Sequence, residues 1–430
     1  LSFIVVGAGI GGLATAAALC RAGHDVLVLE QSTGTIKSKG GMQSPPNMTR
    51  LLLKWGLAPA LARCSHKCDR LIFTNGATGA LIGFLHMGEE FMRDLGAEFL
   101  FLQHQDLHDM LRNLAVNSGA KLRFTARVIG MDTSKGSVTL ENSEVLKADI
   151  VVIADGFDSE LRKAVTEDEN VLPDAMDAHV VATFQVPMAA IRADPALTAL
   201  CAPHCWNIWR GNEYMMNANI LVGEDSLSVT IIHDFAGPRA PHNANWAEGH
   251  SLADLGIDLK NFAPIPGKVL ALAATTTVTS HIFIRRPVAV NFVSATSRTL
   301  LLGEAAHPML PASNHGIALV LEDADTLGEL FSQCVAPSHP AQLLTAYDDL
   351  RQERAALIHF RDAAQCTFSM CISQNPSTCQ CDAVLRFALS NGEWDRTDDS
   401  HTFHAVLGKE LELWANDAGE QVAGWWRMYG

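Results

Sequence analysis

Four glycines and one carboxylate near the start of the chain have the types and spacing to hold a phosphate-bearing nucleotide. Gly7-Ala8-Gly9-Ile10-Gly11-Gly12 satisfies G-x-G-x-x-G, and Glu30 follows Gly12 by eighteen residues. In such a pattern Gly7 permits a tight turn, Gly9 lets the backbone approach a pyrophosphate, and Gly12 lets a helix pack closely on a strand. The helix that follows points its first N–H groups and partial positive charge at the phosphates. Glu30 is placed to accept hydrogen bonds from an adenosine ribose. This chemistry needs a strand before the glycines and a helix after them. Phe-Ile-Val-Val at 3–6 reads as the strand, 10–22 as the helix and 25–29 as a second strand, a βαβ unit.

The motif alone does not separate NAD from FAD; two later segments do. Asp149-Ile-Val-Val-Ile-Ala-Asp155-Gly156-Phe-Asp-Ser159-Glu-Leu-Arg162 resembles the Asp-Gly motif of the flavin-dependent aromatic hydroxylases. Gly303-Glu304-Ala-Ala-His307-Pro308-Met-Leu-Pro311, with His315-Gly316 and Glu322-Asp323-Ala324, resembles the second flavin motif of that family. Gly41-Met-Gln-Ser-Pro-Pro-Asn47 is similar to a stretch of its salicylate-hydroxylase-like members. The resemblance implies the fold of p-hydroxybenzoate hydroxylase, bound FAD, and NADH or NADPH that visits without a Rossmann domain of its own. It also implies chemistry through a flavin C4a-hydroperoxide formed with O₂. The cofactor-binding set is then Gly7, Gly9, Gly12, Glu30, Gly41, His104, Asp155, Gly156, Gly303, Glu304, His315 and Gly316. Glu304 would hold ribitol hydroxyls, and N–H groups near Gly316 would face N1 and the C2 carbonyl of the flavin. Two residues depart from the family pattern. Glu304 replaces the usual Asp, and His104 stands where relatives carry an Arg that contacts the pyrophosphate.

Catalytic candidates are fewer. Pro308 would shape the wall beside the flavin ring. Asn217 aligns with a segment where some relatives carry a catalytic His, and an amide cannot act as a base at pH 7. His233 on the next strand is the alternative base. Trp206, Trp209, Met215 and Phe235 are candidate pocket residues, Arg210, Arg285 and Arg286 candidate anion contacts, and His307 a packing or capping residue. The expected substrate is a small aromatic or otherwise apolar molecule. Alternatives are a flavin dehydrogenase or oxidase that inserts no oxygen, and a degenerate flavin-binding member. Halogenation is disfavoured, since no WxWxIP sequence is present.

The elements that must position these residues give an α/β fold. A discontinuous Rossmann-type FAD-binding domain is expected over 1–177 and 287–340. A mainly antiparallel β-sheet substrate domain is inserted at 178–286, where alternating runs begin, and a helical region follows over 341–430. Asn47 is the expected cap of a helix running to Trp55. A net charge of −15 disfavours nucleic acid or an anionic membrane as partner. The ten cysteines have no paired CxxC spacing, so no metal site and no disulfide is expected. Glycines interrupt the apolar N-terminal run where a signal peptide would be helical, and no stretch is long enough for a membrane span. A cytoplasmic monomer or homodimer is the resulting expectation.

Overall fold

The structure is a computed structural model that describes all residues except 35–39, 167–177, 212–213, 223–224, 235–248, 251, 253–254, 274–277, 285, 310–313, 335–338, 370–376, 391–407 and 430. Its centre is a five-stranded parallel sheet in the order Thr299–Leu301, Ile150–Ile153, Ser2–Val6, Asp25–Leu29, Lys121–Arg123. The first strand of the chain lies in the middle, with Phe3 opposite both Ile150 and Val26. Its near-continuous apolar run is what a strand covered on both faces requires. The helix Ile10–Arg21 packs against the helices Gly316–Ser332 and His104–Asn117. A Cβ on Gly328 would press on Ala18, so glycine sets how closely two of these helices cross. The last strand, at 299–301, arrives from far along the chain, so the nucleotide-binding layer is indeed discontinuous.

A second sheet of eight strands runs Gly249–His250, Val278–Ile284, Ala178–Pro187, Ser226–Asp234, Tyr214–Ile220, Cys205–Arg210, Arg70–Asn75, Leu81–His86. It is antiparallel except where Cys205–Arg210 and Arg70–Asn75 run side by side. The sheet therefore draws two strands from the segment that the sequence reading gave wholly to the FAD-binding domain. Nothing local marks them: they are recruited by pairing across more than a hundred residues. A three-stranded antiparallel sheet, Gly41–Ser44, Leu100–Gln103 and His66–Lys67, lies between the two layers.

One face of the large sheet, with Phe184, Trp209, Met216, Val229 and Ile231, is covered by the helices Met188–Ala193 and Pro264–Ala273. Part of the other face packs Trp206 and Ile208 with Phe99, Phe101 and Trp414. The C-terminal helices Ser377–Ser390 and Lys409–Ala415 close over this second face. Among the described residues no helix is long and apolar enough to cross a membrane, and no cluster of His, Cys, Asp or Glu could hold a metal.

Candidate active site

At the glycine turn the three motif glycines do different work. Gly7 adopts φ +104, and a Cβ there would run into the Ala154 carbonyl at the end of the neighbouring strand. A Cβ at Gly12 would collide with the Gly7 carbonyl, which is the close helix–strand approach expected there. Gly9 has φ −72 and ψ −176, open to any residue, and its Cβ would meet nothing within 4 Å. It borders open space above a helix N-terminus. Glu30 is fixed beside it: its two oxygens accept N–H groups of Ala8 and Ser32, each at 2.8 Å. Each oxygen keeps a second lone pair for ribose hydroxyls. The Nε2–H of buried His108 donates to the Ala8 carbonyl at 2.8 Å and so ties the helix His104–Asn117 to the turn. Sequence reading missed this role, although His108 and His104 are one helical turn apart.

The other flavin segments converge on the same cleft. Gly303, at φ +64, turns the chain out of the strand Thr299–Leu301 and donates its N–H to Asp323 at 2.9 Å. Next to it the Glu304 side chain is open to solvent yet walled by protein, as on the floor of a cleft. Those walls raise its pKa; His307 opposes the rise and Asp158 adds to it. Arg162 of the Asp-Gly loop clips the carbonyls of Ala305 and Ala306 at 3.2 Å and of Pro287 at 2.9 Å. Gly156, at φ +91, also faces open space. Burial pushes the Asp155 carboxyl up to about 6, and its Oδ1 has no hydrogen-bond partner. Pro308 is buried at the end of this segment; Pro311 falls outside the described residues. His315 occupies the N-cap position of the helix Gly316–Ser332 without a side-chain bond to it, and its Nε2 meets Glu410 at 2.9 Å. Burial works against charge on His315, but Glu410 beside it holds its pKa above the ordinary range. Its ring thus reaches toward the C-terminal helices.

Behind the cleft lies a dry charge network. Asp323 accepts from His307 at 2.5 Å and from Arg351 at 2.7 Å, while Glu322 accepts from Arg351, Arg354 and Asn47 at 2.9–3.1 Å. Asn47 is therefore no helix cap. The helix Pro46–Lys54 has Pro45 at its N-cap without a side-chain bond, and Asn47 turns inward to the carboxylate.

The large sheet meets this cleft with the face that carries Asn217. Ser228, on that face, accepts the Gly41 N–H at 3.2 Å and so docks the sheet on the strand Gly41–Ser44. Asn217 is opposite Ile208 and Thr230, and side chains directly opposite in a sheet share a face. Trp206, Ile208, Arg210, Met215, Asn217, Asn219 and Thr230 thus share one side by alternation. His233 is opposite Tyr214, which shares the covered face with Met216 and Ile231. Asn217 and His233 cannot both act on one substrate, and the geometry sets His233 apart from the cleft. Trp209 lies on the covered face as well. Arg210 is paired with Asp382 at 3.0 Å, and Arg286 stacks over Phe157 and pairs with Asp158. Phe235 and Arg285 fall outside the described residues.

A discontinuous parallel α/β layer with a phosphate-ready glycine turn, facing an inserted sheet, defines an FAD-binding flavoprotein of the hydroxylase type. The family described as FAD binding domain matches residues 1–361, and the chain belongs to this family of FAD-dependent aromatic hydroxylases. Hispidin-3-hydroxylase of Neonothopanus nambi is 28% identical over 380 residues, covering 83% of this chain and 86% of that protein. The 6-hydroxynicotinate 3-monooxygenase of Bordetella bronchiseptica is 27% identical over 358 residues, 82% of this chain and 88% of that one. In fold, Klebsiella pneumoniae HpxO complexed with FAD and uric acid superposes with a TM-score of 0.75 at 20% identity, covering 96% of each chain. A salicylate hydroxylase substrate complex gives 0.74 at 16% identity, covering 98% of this chain and 97% of that one.

Glu304 makes a direct test of the cleft. Glu304→Ala should weaken FAD binding by about 1.5–3 kcal/mol, the worth of a hydrogen bond to a charged group, while Glu304→Asp should hold or improve it. Titration of apoprotein with FAD measures both. An Ala variant of unchanged affinity would remove this carboxylate from the cofactor site.

Proposed function

We propose that the enzyme uses NADH or NADPH and O₂ to insert one oxygen atom into an electron-rich, largely apolar aromatic molecule, by hydroxylation or epoxidation. The observation that carries this reading is that the sheet face bearing Asn217 docks beside the flavin-binding layer through Ser228 and Gly41. Bound FAD would supply the redox chemistry, with electrons from the nicotinamide and one atom of O₂ leaving as water. The chain's own residues position and dry the substrate. Trp206, Ile208 and Met215 pack under the C-terminal helices and back this face, and buried Asn217 offers amide N–H donors and a carbonyl acceptor to a ring substituent. An amide cannot take a phenol proton, so activation of the ring comes from elsewhere or is not needed. Arg210 on this face is matched by Asp382, which favours a neutral ring over a carboxylate. A single G-x-G-x-x-G motif supports a nicotinamide that visits rather than resides.

The relatives' names fit oxygen insertion into a ring: one is a 3-hydroxylase of hispidin, another a 3-monooxygenase of 6-hydroxynicotinate. The test is a screen for substrate-stimulated NAD(P)H oxidation, followed by turnover under isotopically labelled O₂. Product carrying one labelled oxygen is expected; unlabelled oxidised product with hydrogen peroxide would make the protein an oxidase. A purified protein that is colourless and takes up no FAD would make it a degenerate member. If Asn217 positions substrate, Asn217→Ala should raise KM by about fivefold, the worth of one hydrogen bond near 1 kcal/mol, with kcat less affected. A large fall in kcat at unchanged KM would assign Asn217 to the transition state instead.

A further inference from the structure

The first turn of the helix His104–Asn117 faces the glycine turn, yet the cation expected there is a histidine. Two contacts fix its position. The His104 N–H donates to the Gly40 carbonyl at 3.0 Å, and His108, on the same helical face, holds the Ala8 carbonyl at 2.8 Å. His104 is therefore one helical turn from the residue that holds the Ala8 carbonyl, at the N-terminus of a fourteen-residue helix. Its ring keeps partial access to solvent although protein surrounds it, and its Nδ1 is buried without a hydrogen-bond partner. Among the described residues no carboxylate forms an ion pair with it.

We propose that FAD binding is coupled to proton uptake on His104, whose imidazolium forms against the pyrophosphate. The inference rests on the FAD-binding reading of the glycine turn. Without the cofactor the ring is neutral, because burial first and the neighbouring His108 second push its pKa down to about 4. His108 is itself flanked by Asp109 and Arg112, with Glu30 across the turn, and Asp109 is too far along the helix to serve His104. The strand Gly41–Ser44, packed on the other side, brings no ionisable side chain. A pyrophosphate changes this balance: two negative charges favour the protonated ring and give its N–H groups acceptors. Linkage fixes the sign. The pKa of His104 is higher in the complex than in the free protein, so FAD binds more tightly as pH falls through the bound value. Above that value the affinity is flat at its weaker level.

The test measures FAD affinity of apoprotein by flavin fluorescence at pH 6, 7 and 8, with proton uptake counted by calorimetry in buffers of different ionisation heat. If the pyrophosphate restores an ordinary histidine pKa near 6.5–7, binding should tighten about 4- to 10-fold from pH 8 to pH 6, with fractional proton uptake near pH 7. His104→Arg should bind tightly and without this dependence, and His104→Gln weakly and without it. Other groups in the cleft, Asp155 among them, are common to all three proteins, so the difference isolates His104. Wild-type affinity that is flat with pH, or a slope that survives in His104→Gln, would overturn the linkage while leaving FAD binding intact. Failure to bind FAD at every pH would overturn both.

Discussion

Gly9→Glu should yield a folded protein that carries no flavin. The substitution is unusually clean because the backbone there is ordinary, φ −72 and ψ −176, so no left-handed strain is introduced. A Cβ would meet nothing within 4 Å, so no packing is disturbed. Surface changes of that kind move stability by roughly 0.5 kcal/mol or less. The side chain would nevertheless enter the space where the backbone meets the pyrophosphate, and its charge would repel the phosphates at the helix N-terminus. FAD content should fall to background while thermal unfolding of the apoprotein stays put. Gly12→Ala makes the contrast: its methyl would collide with the Gly7 carbonyl, so the fold itself should weaken. Gly9→Glu protein that purifies with stoichiometric FAD would show that the cofactor does not cross this turn.

The different fates of Gly9 and Gly12 mark how far the sequence could be read. A strand, a glycine spacing and an acid at the end of the next strand are local, and local patterns survive folding: Glu30 does lean on the Ala8 N–H. A helix starting near Gly316, as the second flavin segment implies, is likewise found at Gly316–Ser332. What could not be read depends on register between distant strands. Asn217 and His233, on successive strands, were alternatives for one role, and only the pairing of Tyr214 with His233 shows that they project from opposite faces. The strands at 70–75 and 81–86 join the large sheet by a parallel pairing that no nearby residue announces. Arg351 and Arg354 lie three apart on the helix His339–Ser369, and nothing near them in sequence marks a partner. In the fold they are buried, because the carboxylates they answer are some thirty residues earlier.

That buried pair gives the largest expected loss of stability. Arg351 is wholly shielded from solvent and bonds both Asp323 and Glu322, with Arg354 completing two cations for two carboxylates. Replacing Arg351 by Met fills much of the volume but leaves a buried negative charge without its match. Breaking a buried pair from one side costs about 3–5 kcal/mol, several times what an exposed bridge is worth. Arg351→Lys keeps the charge but cannot span both carboxylates with a planar fork, so it should fall between Met and wild type. The damage should also reach the cofactor, since Asp323 holds the Gly303 N–H at the flavin turn. Acid should act on the same carboxylates. Burial opposes their charge, yet Arg354 and Arg351 beside Glu322, and His307 and Arg351 beside Asp323, hold both below the usual range. Their contribution is therefore complete above about pH 4, the ordinary carboxylate value, and is lost as pH falls through the lower folded values. Arg351→Met removes part of what depresses them, so its acid unfolding should begin at higher pH. Urea unfolding at neutral pH and an acid titration followed by circular dichroism measure the two effects. A Met variant with the midpoint and acid transition of wild type would show that this network contributes nothing to the fold.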